Sequence, residues 1–374
     1  MDTQERIRCL THDARFEVCA PGSVARFDDD PRQWIYHAVL PNGRTQPQLK
    51  ILLSNACERD CGYCANRAGR EFRRVSFRPE ELAGLFDQMC RARLVRGLFL
   101  SSAVCGSSAL TIDREIATVE LLRGKYDFRG YVHLKLMPGV EKATVERAME
   151  LADRVSLNLE APNPDRLARL AGKKDFYNEL LTPLRWVHEI TQRRGPGLLP
   201  SGHTTQFVVG ASGESDREIL STVEELYGES HLARAYYSAF KPVSDTPLQD
   251  EPATSPVREH RLYQSDFLLR CYGFALEDLV FDDKGHLPVD TDPKTLAALH
   301  RPELFPIEVN TASRRELLRV PGIGPQSADR IVRLRRQGCL RSLKDLGESG
   351  AAAKRAAPFV LLNGGRPAFQ PALF

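Results

Sequence analysis

The stretch Cys57–Cys64, CERDCGYC, sets three thiols within eight residues. A structural zinc site usually takes four protein ligands, often from two C-x-x-C knuckles, and no second knuckle follows Cys64. A dithiol redox pair would use Cys61 and Cys64 and leave Cys57 without a role. Three thiolates on one short loop suit a cubane iron–sulfur cluster, one thiolate to each of three irons, with the fourth iron open to a ligand that is not protein. A loop of idle free thiols is the remaining alternative. An open iron would make the loop a reaction centre rather than a brace.

Two further stretches carry polar groups where a sheet should be apolar. In VSLNLEAP, Ser156, Asn158 and Glu160 alternate with Val155, Leu157 and Leu159, so one face of the strand is wholly polar. Inside a barrel that face needs partners, either a bound ligand or a buried hydrogen-bond network. HLKLMPG repeats the pattern with His133 and Lys135, and Lys135 could meet Glu160 as an internal ion pair or reach a ligand carboxylate.

Near the other end, NTASRRELLRVPGIGPQSADRIVRLRR reads as two short amphipathic helices joined at PGIG. Gly322 and Gly324 let the backbone approach another surface, and Ile323 between them docks into the hairpin's own core. Main-chain N–H groups at the start of the second helix, around Gln326 and Ser327, are then open to an anion such as a DNA phosphate. Arg314, Arg315, Arg319, Arg330, Arg333, Arg335 and Arg336 surround the turn, and arginine is the stronger phosphate partner. Gly322, Ile323, Gly324, Gln326, Ser327, Arg330 and Arg333 are the expected DNA contacts; a protein-binding hairpin is the alternative. LRSLKDLGESGAAAKRAAPFV reads as a degenerate second copy.

The elements that must position these groups follow from the apolar pattern. LKILLS (49–54), GLFLSS (97–102), YVHLKL (131–136), RVSLNLE (154–160), TTQFVVG (204–210) and ARAYYSAF (233–240) read as strands. Helical segments separate them, such as RPEELAGLFDQMCRARL, with Pro79 in the first turn and Leu82, Leu85, Phe86 and Met89 on one stripe. Repeated strand–helix–strand units predict an α/β fold, a partial (β/α)6 parallel barrel, followed by a small all-α domain. Function in such barrels gathers at the C-terminal ends of the strands, and the cysteines begin just beyond the first. The expected organisation is an N-terminal extension (1–48), the barrel (49–275), a connector (276–305), the hairpin domain (306–365) and a tail (366–374).

The chain of 374 residues carries a net charge of +3, unevenly spread. Residues 306–374 hold 12 Lys and Arg against 5 Asp and Glu, or +7, while the remainder holds 40 against 44, or −4. The basic end is the expected nucleic-acid surface. Nine cysteines, mostly scattered, argue against a disulfide framework, and no run has transmembrane length, so a cytoplasmic location is expected and no membrane partner.

With Tyr63 just before the last cysteine, C-x-x-x-C-x-x-C on the first loop of a partial barrel resembles the radical S-adenosylmethionine (SAM) superfamily. The resemblance implies a 4Fe-4S cluster on Cys57, Cys61 and Cys64, SAM on the open iron, and an external electron donor. It further implies that SSAVCGS, with Ser101 and Ser102 in place of glycines, lies where the superfamily binds the methionine amine. Ser156, Asn158, Glu160 and Lys135 are implied cosubstrate contacts, and FVVGASGES, with Gly210, Gly213 and Glu214, resembles the adenine-contacting segment. Cys105, Tyr236 or Tyr237 are candidate hydrogen donors; the tyrosines alternate, so only one faces the interior.

The hairpin resembles the helix-hairpin-helix of repair and recombination proteins. The whole order of motifs resembles a radical SAM family with a C-terminal helix-hairpin-helix domain, described as DNA modification or repair proteins. The implied function is a radical enzyme acting on a nucleotide in DNA, with an RNA-modifying enzyme or a non-catalytic Fe-S DNA-binding protein as alternatives. The final QPALF resembles a sliding-clamp docking peptide, with Gln370 orienting and Leu373 and Phe374 anchoring.

Overall fold

The computed structural model describes residues 2–17, 35–39 and 45–368. Its main sheet has seven strands in chain order: β1 (Ile35–Val39), β2 (Thr45–Leu52), β3 (Gly97–Ser101), β4 (Tyr131–Lys135), β5 (Arg154–Ser156), β6 (His203–Val209) and β7 (Arg234–Ala239). Strands β2 to β7 are parallel, the six expected from the apolar runs, and β1 adds an antiparallel edge. The crossovers carry α2 (Pro79–Arg91), α3 (Ser108–Gly124), α4 (Lys142–Leu151), α5 (Pro164–Ala171), α6 (Thr182–Arg194) and α7 (Asp216–Glu229), while α1 (Thr3–Asp13) precedes the sheet. In α2, Leu82, Phe86 and Met89 are buried as the stripe requires, joined by Ala83, whereas Leu85 is only half-buried.

Strand register separates the two faces of the sheet. Leu49 aligns with Leu98, Leu98 with Val132, Ile51 with Leu100 and Leu100 with Leu134, and all are fully buried. The alternate rows are polar: Lys50 aligns with Phe99 and Phe99 with His133, and Lys135 aligns with Ser156. A sheet that buries one apolar face can keep the other for ligands. The regular ladder of β5 stops at Ser156, short of the expected 160. The Thr205 hydroxyl then takes over, accepting from Leu159 N–H at 3.0 Å and donating to Leu157 O at 2.8 Å. Glu160 closes the run at φ +65°, where a non-glycine residue is strained.

The contacts divide the chain into two compact units, Met1–Glu214 with Glu225–Glu259, and Ser215–Glu224 with His260–Phe374. The second unit holds most of α8 (Pro256–Tyr272), then α9 (Pro293–His300) within the expected connector, and a group of short elements. These are β8 (Ile307–Glu308), α10 (Arg314–Arg319), α11 (Pro325–Leu334), α12 (Leu343–Glu348), α13 (Ala353–Ala356) and β9 (Val360–Leu361). Helices α10–α11 and α12–α13 share one core, with Leu317, Ile323, Ile331, Leu346 and Ala356 fully buried. No helix among the described residues is long and apolar enough to cross a membrane.

Candidate active site

The loop after β2 brings Cys57, Cys61 and Cys64 to one wall of a cavity, at the C-terminal ends of the parallel strands. Main-chain bonds fix the loop from several sides. Glu58 N–H donates to Val104 O at 2.8 Å, Gly62 N–H to Leu170 O at 2.7 Å, and Leu248 N–H to Gly62 O at 3.2 Å. The Arg74 guanidinium donates to the carbonyls of Cys57, Arg67, Ala68 and Arg70 at 2.9–3.4 Å, stapling the chain that leaves the loop. Two thiols already accept N–H groups, Cys57 from Arg59 and Cys64 from Asn66, both at 3.4 Å.

Burial pushes the Cys64 thiol up to about 12, with Cys61 adding to the effect, and burial raises Cys61 as well. Buried thiols of this kind keep their protons unless a metal takes the proton's place. Among the described residues no three His, Cys, Asp or Glu side chains converge on one ion. A cubane does not ask them to, because each thiolate takes a different iron. Three thiols on one wall, with N–H donors aimed at sulfur, fit such a cluster.

Facing the thiols is a buried ion pair: Lys174 Nζ lies 3.4 Å from Glu160, both side chains under one tenth exposed. Burial disfavours the ammonium, but a Cys61 thiolate, the form a bound metal would impose, and the Glu160 carboxylate outweigh it and hold Lys174 above the ordinary lysine value. The Tyr63 hydroxyl also bonds Glu160, and burial first, then that carboxylate, raises the phenol well above its usual range. Glu160 therefore pairs with Lys174, not with Lys135 as one reading of the strands proposed. Lys135 instead pairs with Glu17, which comes from the turn after α1. Ser101 donates to the same carboxylate at 3.0 Å, and Lys50 Nζ donates to Glu17 O at 2.8 Å. Asp13, at the end of α1, also lines the cavity and accepts from Asn55 at 2.7 Å.

Of the expected cosubstrate contacts, Ser102, Lys135, Asn158 and Glu160 line the cavity. Ser101 is buried behind it on Glu17, and Ser156 is held by His133 at 2.8 Å. His133 stacks on Phe99 at 4.1 Å, and burial, then Arg154 and Lys135, keeps it well below the ordinary histidine value, hence neutral. Gly210 and Glu214 close their own turn: Glu214 accepts from Gly210 N–H and from Ser212 Oγ at 2.6 Å, and lies 3.6 Å from Arg258. Gly210 has φ +98°, and the Thr254 hydroxyl sits where a Cβ would be. Cys105, Tyr236 and Tyr237 do not line the cavity. Cys105 is tied by its N–H to Thr111 Oγ1 at 2.9 Å, and Tyr237 stacks on Phe207 at 6.3 Å. Tyr236 aligns with cavity-lining Gln206, so it is the tyrosine on the interior face.

In the second unit the turn between α10 and α11 is built as the sequence suggests at Ile323, which is fully buried. Ser313 and Glu316 form a capping box at the start of α10, with bonds of 2.6 and 3.2 Å. The glycines, however, face the chain itself. Gly322, at φ +87°, accepts Ala352 N–H at 2.8 Å, and a Cβ there would lie 2.7 Å from Ala352 O. A Cβ on Gly324 would lie 3.3 Å from the Tyr272 hydroxyl. Lys294, missed from sequence, donates to Ile323 O at 2.5 Å and lies over the Tyr272 ring at 4.5 Å. Burial, then Arg355, brings that lysine down to about 7.

The arginines also divide. Arg314 pairs with Asp329 at 2.6 Å, Arg319 with Asp278 at 2.8 Å, and Arg335 donates to the carbonyls of Val309 and Ala312. Arg315, Arg330, Arg333 and Arg336 are exposed, as is Gln326, while Ser327 is buried. Gln370, Leu373 and Phe374 lie outside the described residues.

Comparison with known proteins places a radical SAM superfamily model on residues 51–226 and a helix-hairpin-helix motif on residues 306–350. No curated protein matches the chain. Among solved structures, methylornithine synthase is similar at 17% identity over 59% of this chain and 60% of its own, with a TM-score of 0.45. The FeFe-hydrogenase maturase HydG from Carboxydothermus hydrogenoformans gives 15% identity, 58% and 50% coverage and 0.44. A radical SAM methyltransferase from Sphaerobacter thermophilus gives 16%, 60% and 63%, and 0.43. The chain thus spans half to less than two thirds of these proteins' lengths. Cysteine loop, half-barrel and sequence match agree: the chain carries a domain of the radical SAM superfamily, whose cofactors are a 4Fe-4S cluster and SAM, and a helix-hairpin-helix motif near its C-terminus.

Proposed function

We propose that this is a radical SAM enzyme that repairs or modifies a nucleotide in DNA. The observation that carries the reading is one chain with a thiol-walled cavity at the strand ends and, in its other unit, a helix-hairpin-helix motif ringed by exposed arginines. Cys57, Cys61 and Cys64 would hold the cluster. Together with SAM and an electron from an external donor, that cluster would supply hydrogen-abstracting radical chemistry.

This chain's own residues orient and exclude. Ser102 and Asn158 offer hydrogen bonds to the cosubstrate. The Lys174–Glu160 and Lys135–Glu17 pairs keep fixed charge in the cavity wall without an unpaired ion. Gln326, Arg330, Arg333 and the main-chain N–H of Ser327, whose side chain is buried, would hold phosphates with little regard for sequence, while a nucleotide extruded from the duplex enters the cavity. In this reading residues 49–275 do the chemistry and 306–365 hold the duplex. The enzyme works in the cytoplasm, and its tail docks on the sliding clamp through Gln370, Leu373 and Phe374.

The test is anaerobic reduction of the reconstituted chain with SAM and a panel of damaged and intact DNAs, scoring 5′-deoxyadenosine. The expected result is release that rises with one DNA. Release that rises only with RNA moves the substrate to RNA; DNA binding without any release leaves a non-catalytic Fe-S protein.

A further inference from the structure

Tyr177 is 55% exposed, in the π-helical turn Phe176–Leu181. It stands between Lys174, which lines the cavity of the barrel unit, and Glu179, which holds the cavity-lining Arg59 at 2.8 Å. A single exposed aromatic is ordinary. This one is mounted rigidly. The Asp175 carboxylate accepts the N–H groups of Tyr177 and Asn178, both at 2.9 Å, and the Asn178 side chain at 2.7 Å. Glu179 O accepts Gly139 N–H at 2.9 Å, next to cavity-lining Pro138. Buried Phe176 meets the Tyr177 ring edge-on at 5.4 Å.

The turn is therefore tied to the cysteine loop through Arg59 and to the loop after β4 through Gly139, with its ring left largely open. Lys173, four residues earlier, pairs with Asp60 of the cysteine loop at 2.8 Å and ties this segment to it a second time. π-Helical insertions recur at functional sites. An exposed aromatic ring on a turn bound to two cavity-lining segments has the makeup of a platform for single-stranded nucleic acid, because every base offers a π-face.

We propose that Tyr177 stacks on an unpaired nucleobase of the strand whose nucleotide enters the cavity. This rests on the nucleic-acid reading above and deepens it, since it makes unpaired strand, rather than intact duplex, what the barrel unit recognises.

The experiment measures binding of the full-length, cluster-loaded chain to a duplex with one bulged nucleotide and to the same duplex fully paired, with Tyr177→Ala, Tyr177→Leu and Tyr177→Phe beside the parent. Tyr177→Phe should bind the bulged duplex as the parent does. Tyr177→Ala and Tyr177→Leu should lose about 5- to 150-fold on it, the worth of one stacked base. Affinity for the paired duplex should be unchanged in all. Parent-like binding of the bulged duplex by Tyr177→Ala, or equal binding by the Leu and Phe variants, would overturn the platform and leave the DNA reading standing. Failure of the parent to bind either duplex would overturn both.

Discussion

Lys174 and Arg330 are both cations beside a turn that the sequence connects with a ligand, yet their surroundings are opposite. Lys174 is buried against Glu160, with thiols beside it; Arg330 stands exposed on α11. The barrel unit keeps charge inside, in pairs that must be complete to be tolerated. The hairpin unit spends Arg314, Arg319 and Arg335 on its own frame and leaves Arg315, Arg330, Arg333 and Arg336 outside. Loss of one buried partner should break a structure, whereas loss of one exposed arginine should only adjust an affinity.

The largest effect should come from replacing Cys57, Cys61 and Cys64 together with alanine. Iron content and reductive SAM cleavage should vanish while duplex binding persists, and iron retained in the triple variant would refute the cluster assignment. Next, Lys174→Met leaves Glu160 buried and unpaired, for a loss of about 3–5 kcal/mol. Thermal unfolding should record it, and adding Glu160→Gln should recover part of the loss; a double variant no better than the single one would deny the pairing.

Gly322→Val should cost about 3–4 kcal/mol through left-handed strain and the clash with Ala352 O. Because that clash lies inside the hairpin unit, limited proteolysis should open the unit while the iron content stays. Lost DNA binding in this variant would therefore report damage to the hairpin, not removal of a phosphate contact.

His203 offers a pH test of the barrel unit. Burial, then His188 and His231, depress it to about 4 in the folded chain, so the folded state favours the neutral ring. Stability is complete above the unfolded value near 6.5 and falls as pH drops through about 4, by about 3 kcal/mol in total. His203→Leu should flatten the unfolding midpoint over that window; an unchanged slope would show that other groups set it. The smallest effect belongs to the rim of the hairpin. Arg330→Gln and Arg333→Gln should each reduce the salt slope of duplex binding by about 1, uniformly across sequences. Binding that stays as salt-sensitive as before would move the phosphate contacts elsewhere.

Much of the fold was legible because parallel strands buried on one face leave dense apolar runs, and all six appeared near their expected places. The antiparallel edge strand β1 was not: IYHAV is apolar at four of five positions, but only five residues separate it from β2, too few for the strand–helix–strand rhythm by which the others were read. Cysteine spacing gave the loop, and alternation in VSLNLE gave the polar face. What pairs with that face was hidden. Lys174 lies in KKD, which reads as a solvated surface, and Glu17 is 84 residues from Ser101 and 118 from Lys135. Local pattern carries no information about partners so far apart. The glycines of PGIG were recognised as special, but what they must clear was not: Gly322 faces the start of α13, whose sequence, AKRA, gives no hint of it, and Gly324 faces the Tyr272 hydroxyl at the end of α8.

The Glu17 carboxylate gives the segment around α1 an unusual standing. A helix outside the parallel ladder would ordinarily tolerate trimming and sequence drift, because little of a barrel depends on it. Here a residue just beyond it finishes a wall whose other members, Lys50, Ser101 and Lys135, lie 33, 84 and 118 residues further along, and closing so long a loop is entropically slow. A bulky fusion ahead of α1, or a deletion into it, would thus act on the cavity itself, leaving Lys135 without its acid in a protein whose barrel and cysteines were otherwise intact.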